Sequence, residues 1–130
     1  MVRYINVKSR TRMEFIDITG LLQDSVKDAG YNDGVCYLYV PHTTAGITIN
    51  EGADPSVQRD ILHTLSRLIP HEVPYAHREG NADAHVKSTL VGSSVHVIID
   101  DGKLLLGTWQ SVFFCEFDGP RHRRIAIKFL

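Results

Sequence analysis

Two cysteines in 130 residues are too few for a disulfide framework. Both sit inside apolar runs, Val35-Cys-Tyr-Leu-Tyr-Val40 and Phe113-Phe-Cys-Glu-Phe117, and read as reduced core thiols rather than a metal pair. No apolar stretch approaches the roughly 20 residues that cross a bilayer, so no membrane partner is expected. Charge of one sign is also missing: 14 basic side chains face 15 acidic ones, for a formal net charge of -1. That balance argues against bulk attraction to nucleic acid or to an anionic membrane. The N-terminus has no basic-then-apolar leader pattern, and the protein is expected in the cytoplasm. Repeats, low-complexity tracts and linkers are absent. One domain over residues 1–130 is expected, large enough to bury a core without staples.

What is present changes period along the chain. Val2 to Val7 and Met13 to Ile18 read as strands. Thr19 is expected to cap a helix carrying Leu21, Leu22 and Val26, which Gly30 ends in a left-handed turn. After the Asn32-Asp-Gly34 turn, Val35 to His42 and Gly46 to Glu51 are two more strands. Asp54-Pro55 opens a second helix, a capping acid followed by proline at the first helical position. Val57, Ile61, Leu65 and Leu68 form its apolar stripe, and Pro70 stops it. Pro70 to Gly80 has no periodicity and reads as a loop of the kind that carries function. Ser94 to Ile99, the Asp100-Asp101-Gly102 turn and Lys103 to Leu106 form a hairpin. Trp109 to Phe117 is apolar on both faces apart from Gln110 and Glu116, as a central strand covered twice should be. A turn at Asp118-Gly119-Pro120 leads to His122–Phe129, which closes the sheet. About eight strands, mostly antiparallel, and three helices make an α+β domain.

The polar chemistry concentrates between His77 and Leu90. Asn81 is placed as the N-cap of a short helix, with Asp83 in its first turn. His85 falls one turn beyond Asn81, and Ser88 and Thr89 lie three and four residues after it. One helix face would carry an amide, an imidazole and hydroxyls, with Lys87 to one side. A helix that only filled a core would place leucine and isoleucine there; the alternative is a solvated polar helix with a good cap.

Polar groups on apolar faces are the second signal. Strand alternation puts His42 with Cys36, Leu38 and Val40, and Glu51 with Ile47 and Ile49. A carboxylate on a core face must be paired, hydrogen-bonded or neutral. A tight turn at Thr43-Thr-Ala-Gly46 would separate His42 from Glu51 by roughly 13 Å at the usual strand rise. Either that turn is not tight, or the two serve different clusters, or a neighbouring subunit joins them. Glu116 and Arg123 flank the last turn and can pair across strands, as a structural ion pair or as a clamp on substrate. The run Arg121-His-Arg-Arg124 is too short to be a nucleic-acid footprint.

Of the seven histidines, His63, His96 and His122 read as surface residues and His71 is ambiguous. His42, His77 and His85 are the candidate metal ligands, because neutral imidazole is the commonest protein ligand. With an acid or water they suit a divalent ion, zinc first. The same groups could instead hold phosphate or sulfate, with Lys87 and the helix N-terminus at Asn81 as donors.

Four ordered segments carry a resemblance. Pro41-His-Thr-Thr-Ala-Gly-Ile-Thr-Ile-Asn-Glu51, Ala53-Asp-Pro-Ser56, Glu79-Gly-Asn-Ala-Asp-Ala-His-Val-Lys-Ser88 and Leu106-Gly-Thr-Trp-Gln110 resemble the YjbQ-like family, widely described as secondary thiamine-phosphate synthases. The resemblance spans nearly the whole chain. It implies a compact α+β fold with a β-sandwich core, a homotrimer, and a weak thiamine-phosphate synthase activity beside an unassigned primary role. It maps the site onto His42, Glu51, Asp54, His77, His85, Lys87 and Gln110. Asn81, Ser88, Glu116 and Arg123 join it as candidate substrate contacts. Three functions compete. The first is an enzyme on a small phosphorylated or anionic substrate, with a metal on His77 and His85 (with or without His42), Lys87 and Arg123 neutralising charge, and Glu51 or Asp54 as base. The second is a non-catalytic trimeric module that captures an anionic metabolite or metal. The third is a structural trimer whose polar stretch stabilises an interface.

Overall fold

A computed structural model describes residues 1–130. The order is β1 (Arg3–Lys8), β2 (Glu14–Asp17), α1 (Thr19–Ala29), β3 (Asp33–Tyr39), β4 (Ala45–Glu51), α2 (Pro55–Leu68), α3 (Ala82–Val91), β5 (Ser94–Asp100), β6 (Lys103–Leu104), β7 (Gln110–Glu116) and β8 (His122–Phe129). This is the α+β class expected, with every strand pairing antiparallel.

Local chemistry explains most boundaries. Asp54 accepts from the Ser56 amide at 2.9 Å with Pro55 behind it, so α2 starts where a cap and a fixed φ coincide. At α1 the expected Thr19 cap is not made: Ile18 holds the N-cap position, with no side-chain cap bond. Asp17 accepts from the Thr19 amide and hydroxyl, at 2.9 and 2.6 Å, and the freed Thr19 oxygen accepts from the Val112 amide instead. That last bond ties the helix start to β7. Gly30, at φ 69°, ends α1 as expected. Asp101 and Gly102 both hold positive φ, 51° and 74°, which is what a two-residue turn between β5 and β6 requires.

The strands form two sheets, a five-stranded one ordered β1-β8-β3-β5-β6 and a three-stranded one ordered β2-β7-β4. Two sequence expectations change here. β3 and β4 do not pair, so residues 40–44 are a crossover between sheets and not a tight turn. Likewise β8 does not extend the sheet of β7; it lies in the other one, between β1 and β3. Both crossovers deliver polar side chains to the same end of the sandwich.

One apolar core fills the space between the sheets, from Ile5 and Val7 through Leu38, Ile47, Val97 and Phe114 to Ile125 and Ile127, with Leu22 and Val26 of α1 closing it. A second cluster, Phe113, Cys115 and Phe117 against Leu65 and Ala84, lies on the opposite face of β7 under α2 and α3. β7 is therefore covered on both sides, as its apolar stretch Val112–Cys115 predicts. Cys36 and Cys115 are buried and unpaired, and burial pushes the Cys36 thiol up to about 12. No helix is long and apolar enough to cross a membrane.

Candidate functional site

The loop before α3 and the first turn of that helix bring two imidazoles together. The rings of His77 and His85 meet edge to face, their centroids 5.3 Å apart. Asn81 sets the orientation of His77. Its amide nitrogen donates to Asp118 at 2.9 Å, which leaves its oxygen to accept from the His77 Nε2–H at 3.0 Å. In the uncharged ring, Nδ1 of His77 would then carry the free lone pair. A histidine whose second nitrogen donates to a fixed acceptor is arranged as metal ligands usually are. Asn81 consequently makes no side-chain cap to α3, contrary to the sequence expectation; the Asp118 contact takes precedence.

Next to this pair lie two adjoining clefts of about 470 and 530 Å³ that share His42 and Thr43. His85, Ser88 and Thr89 wall the first; Asn81, Asp118, Arg121 and Arg123 wall the second. α3 can approach this closely because β4 carries Gly46. A Cβ there would stand 2.7 Å from the Gly92 carbonyl oxygen, and the Ile47 amide donates to that same oxygen at 3.1 Å.

Under the second cleft is a closed ion pair. Glu116, fully buried, accepts from the Arg123 Nε at 2.9 Å and Nη2 at 2.6 Å, from the Ser9 hydroxyl at 2.6 Å, and from the amides of Phe117 and Asp118 at 3.1 Å. Burial alone would raise its pKa; the Arg123 and Ser9 bonds outweigh that and hold it below the ordinary carboxylate value. Arg123 Nη2 also donates to the Thr44 hydroxyl and carbonyl, at 2.8 and 3.3 Å. Glu116 thus sits beneath the cleft as the anchor of Arg123, while Arg123 reaches the cleft wall.

His42 lies in the middle of the crossover from β3. Its Nε2 accepts from the Arg124 amide at 3.1 Å, and burial, then the neighbouring Arg123 charge, hold its pKa below the ordinary imidazole value. Ser88 and Thr89 return their hydroxyls to helix carbonyls four residues back, at 2.7 and 2.9 Å.

Other expected site residues fall elsewhere. Lys87 is one of the most buried side chains in the protein, and its ammonium donates to Asp83 at 2.7 Å instead of lining either cleft. Asp83 is held in turn by Arg12 and His71, each at 2.9 Å. Glu51, half-buried, pairs in register with Gln110 at the far end of β4, whereas Ala45 pairs with Glu116 at the near end. Six strand steps separate the two ends, roughly 20 Å. Asp54 is exposed and spends its carboxylate on the α2 cap. His42 and the Glu51, Asp54, Gln110 group therefore belong to different clusters within one chain. Sequence reasoning missed Asp118, Asp83, Ser9 and Thr44. Each looks like an ordinary turn or cap residue until the fold sets it against a charge.

The matching family model is described as UPF0047 protein YjbQ-like and covers residues 3–130. A UPF0047 protein of Methanocaldococcus jannaschii is 54% identical over 124 residues, 95% of this chain and 90% of that one. The UPF0047 protein YugU of Bacillus subtilis is 48% identical over 132 residues, 100% of this chain and 99% of its own. Among solved structures, an uncharacterised conserved protein of the YjbQ/UPF0047 family from Clostridium acetobutylicum superposes with a TM-score of 0.96 at 49% identity, covering 98% of this chain and 99% of that one. A conserved hypothetical protein from Thermus thermophilus gives 0.92 at 40% identity, covering 98% and 99%. With one model spanning residues 3–130 and relatives this similar along their full length, the chain belongs to the YjbQ-like UPF0047 family.

Proposed function

We propose that this protein is a metal-assisted enzyme acting on a small phosphorylated or otherwise anionic substrate, working as a homotrimer. The observation that carries the reading is the His77–His85 pair, with His77 Nε2–H donated to Asn81; His77 lines neither cleft, but His85 lines the first and Asn81 lines the second together with Arg123. The donor set fits a divalent ion, zinc by ligand type, because two neutral imidazoles supply nitrogen ligands. No third His, Cys, Asp or Glu of the same chain joins them as a group, so the remaining positions fall to water, substrate oxygen or a neighbouring protomer. Bound there, the ion would polarise an anionic oxygen of the substrate. The chain's own contribution is orientation. Asp118 fixes Asn81, Asn81 fixes His77, and Glu116 fixes Arg123.

The thiamine-phosphate synthase activity that the family resemblance implies fits this site as a side reaction. Expelling pyrophosphate calls for several free cations. Lys87 is sealed against Asp83, and the two arginines at the cleft, Arg121 and Arg123, are each paired with a carboxylate, Asp118 at 3.1 Å and Glu116 at 2.6 Å, so no cation there is without a counter-charge. Weak turnover is the expected result. The test is elemental analysis of protein purified without chelator, with zinc titration of the wild type, His77→Ala and His85→Ala. Both variants should lose zinc by more than tenfold, the scale reported for damage to a metal shell. Unchanged affinity in both would remove the metal from the proposal.

A further inference from the structure

Arg123 and His42 share a wall of the second cleft, and each has one polar atom that the protein does not use. Arg123 is 7% exposed, and its Nε and Nη2 are fully engaged by Glu116 and Thr44. Its Nη1 has no partner in the protein, yet no buried side-chain nitrogen or oxygen lacks a partner, so that atom lies at accessible surface. A guanidinium held on two of its three nitrogens has one rotamer and one free edge. Its two remaining N–H groups are fixed donors.

His42 is constrained from the other side. A backbone amide can only donate, so the Nε2 that faces the Arg124 N–H must hold a lone pair. The proton of the uncharged ring is then on Nδ1. Metal-bound histidines show the reverse arrangement: one nitrogen binds the ion and the other donates its proton to an acceptor. Here the nitrogen that would have to donate is already an acceptor, so a metal on Nδ1 would force the ring proton onto Nε2, directly against the Arg124 N–H. Burial beside Arg123 favours the same uncharged form.

We infer that Arg123 Nη1 and the Nδ1–H of His42 form one anion pole, built for the terminal phosphate of the substrate, and that His42 stands outside the metal's ligand set. The inference rests on the anionic-substrate reading above and sharpens it: two imidazoles for the ion, the third for the phosphate. Thr43, shared by both clefts, and Thr44, whose hydroxyl oxygen already accepts from Arg123, line the same wall. Asp118 also faces this cleft: Asn81 and Arg121 both donate to its Oδ2, while its Oδ1 has only the Arg12 guanidinium, at 3.7 Å, to offset its charge.

Long-range proton–nitrogen correlations on histidine-labelled protein read the tautomers directly. In zinc-free protein His42 should be protonated on Nδ1 and bare on Nε2. Inorganic phosphate should move its Nδ1 signal, and zinc should move the nitrogens of His77 and His85 while leaving those of His42 in place. Two variants separate the atoms. His42→Asn keeps a donor where Nδ1 stands, and His42→Leu offers the cleft no donor. Phosphate affinity should stay within about threefold in the first and fall about tenfold in the second, the worth of one hydrogen bond to a charged group. An Nε2–H tautomer, a zinc response at His42 as large as that at His77, or equal phosphate affinities in both variants would each overturn the inference. Failure of the metal reading would show separately, as silent His77 and His85 signals with the phosphate response intact.

Discussion

Glu116→Gln is the sharpest perturbation of this architecture, because it removes a charge from a pair sealed between the sheets without changing shape. The carboxylate accepts five hydrogen bonds: from Ser9, from two nitrogens of Arg123 and from the amides of Phe117 and Asp118. An amide turned either way sets an NH2 group against at least one N–H donor and leaves Arg123, 7% exposed, without a counter-charge. Removing one member of a buried ion pair costs about 3–5 kcal/mol. The lower end applies here, since Nη1 of Arg123 still reaches accessible surface. With a urea m-value of about 2 kcal/mol/M, a loss of about 3 kcal/mol lowers the unfolding midpoint by about 1.5 M. Both proteins are compared at one protomer concentration, because assembly adds to apparent stability. Adding Arg123→Met to the variant should recover part of the loss, since no unpaired charge then remains. The pH dependence has a definite sign. The Glu116 pKa is depressed on folding, so its stabilisation is fully present above the ordinary value of 4.5 and is lost as pH falls through the lower folded value. The variant should lack that part of the acid limb. A midpoint shift below about 0.3 M, on the same m-value scale, would refute the reasoning.

Asp83→Asn should destabilise by about 3 kcal/mol in the same assay, because Lys87 would lose its carboxylate at a fully buried position; adding Lys87→Met should restore much of it. Gly46→Ala forces a methyl to 2.7 Å from the Gly92 carbonyl, so a loss of about 1–3 kcal/mol is expected. A crystal structure of it should show α3 displaced from β4; an unmoved helix and unchanged stability would contradict the close-approach account. Neither Cys36 nor Cys115 should react with a thiol reagent in the folded protein, and both should react in denaturant, since burial raises both thiol pKa values. Rapid labelling of either in native buffer would place it outside the core.

The chain's own pattern determined a good deal of this molecule. Asp54-Pro55, Gly30 and Asp101-Gly102 mark boundaries that need only local backbone chemistry, and they hold. The apolar run Val112–Cys115 of β7 implied a strand covered on both faces, and two separate cores cover it. The nearness of His77 and His85 was expected but not forced, since eight residues can span roughly 27 Å; the Asn81 contacts to His77 and Asp118 accompany the ring contact. Tertiary structure decided everything that depends on which sheet a strand joins. β3 and β4 diverge into different sheets, so His42 is carried toward α3 and Arg123, while Glu51 is carried to the opposite end of β4. Side-chain direction on α3 was likewise beyond reach of periodicity: Lys87 turns inward because Asp83, one turn earlier, is buried with it. Alternation tells which residues share a face. It does not tell what lies across from that face, and charge pairing at a distance is settled only when two remote segments are brought into contact.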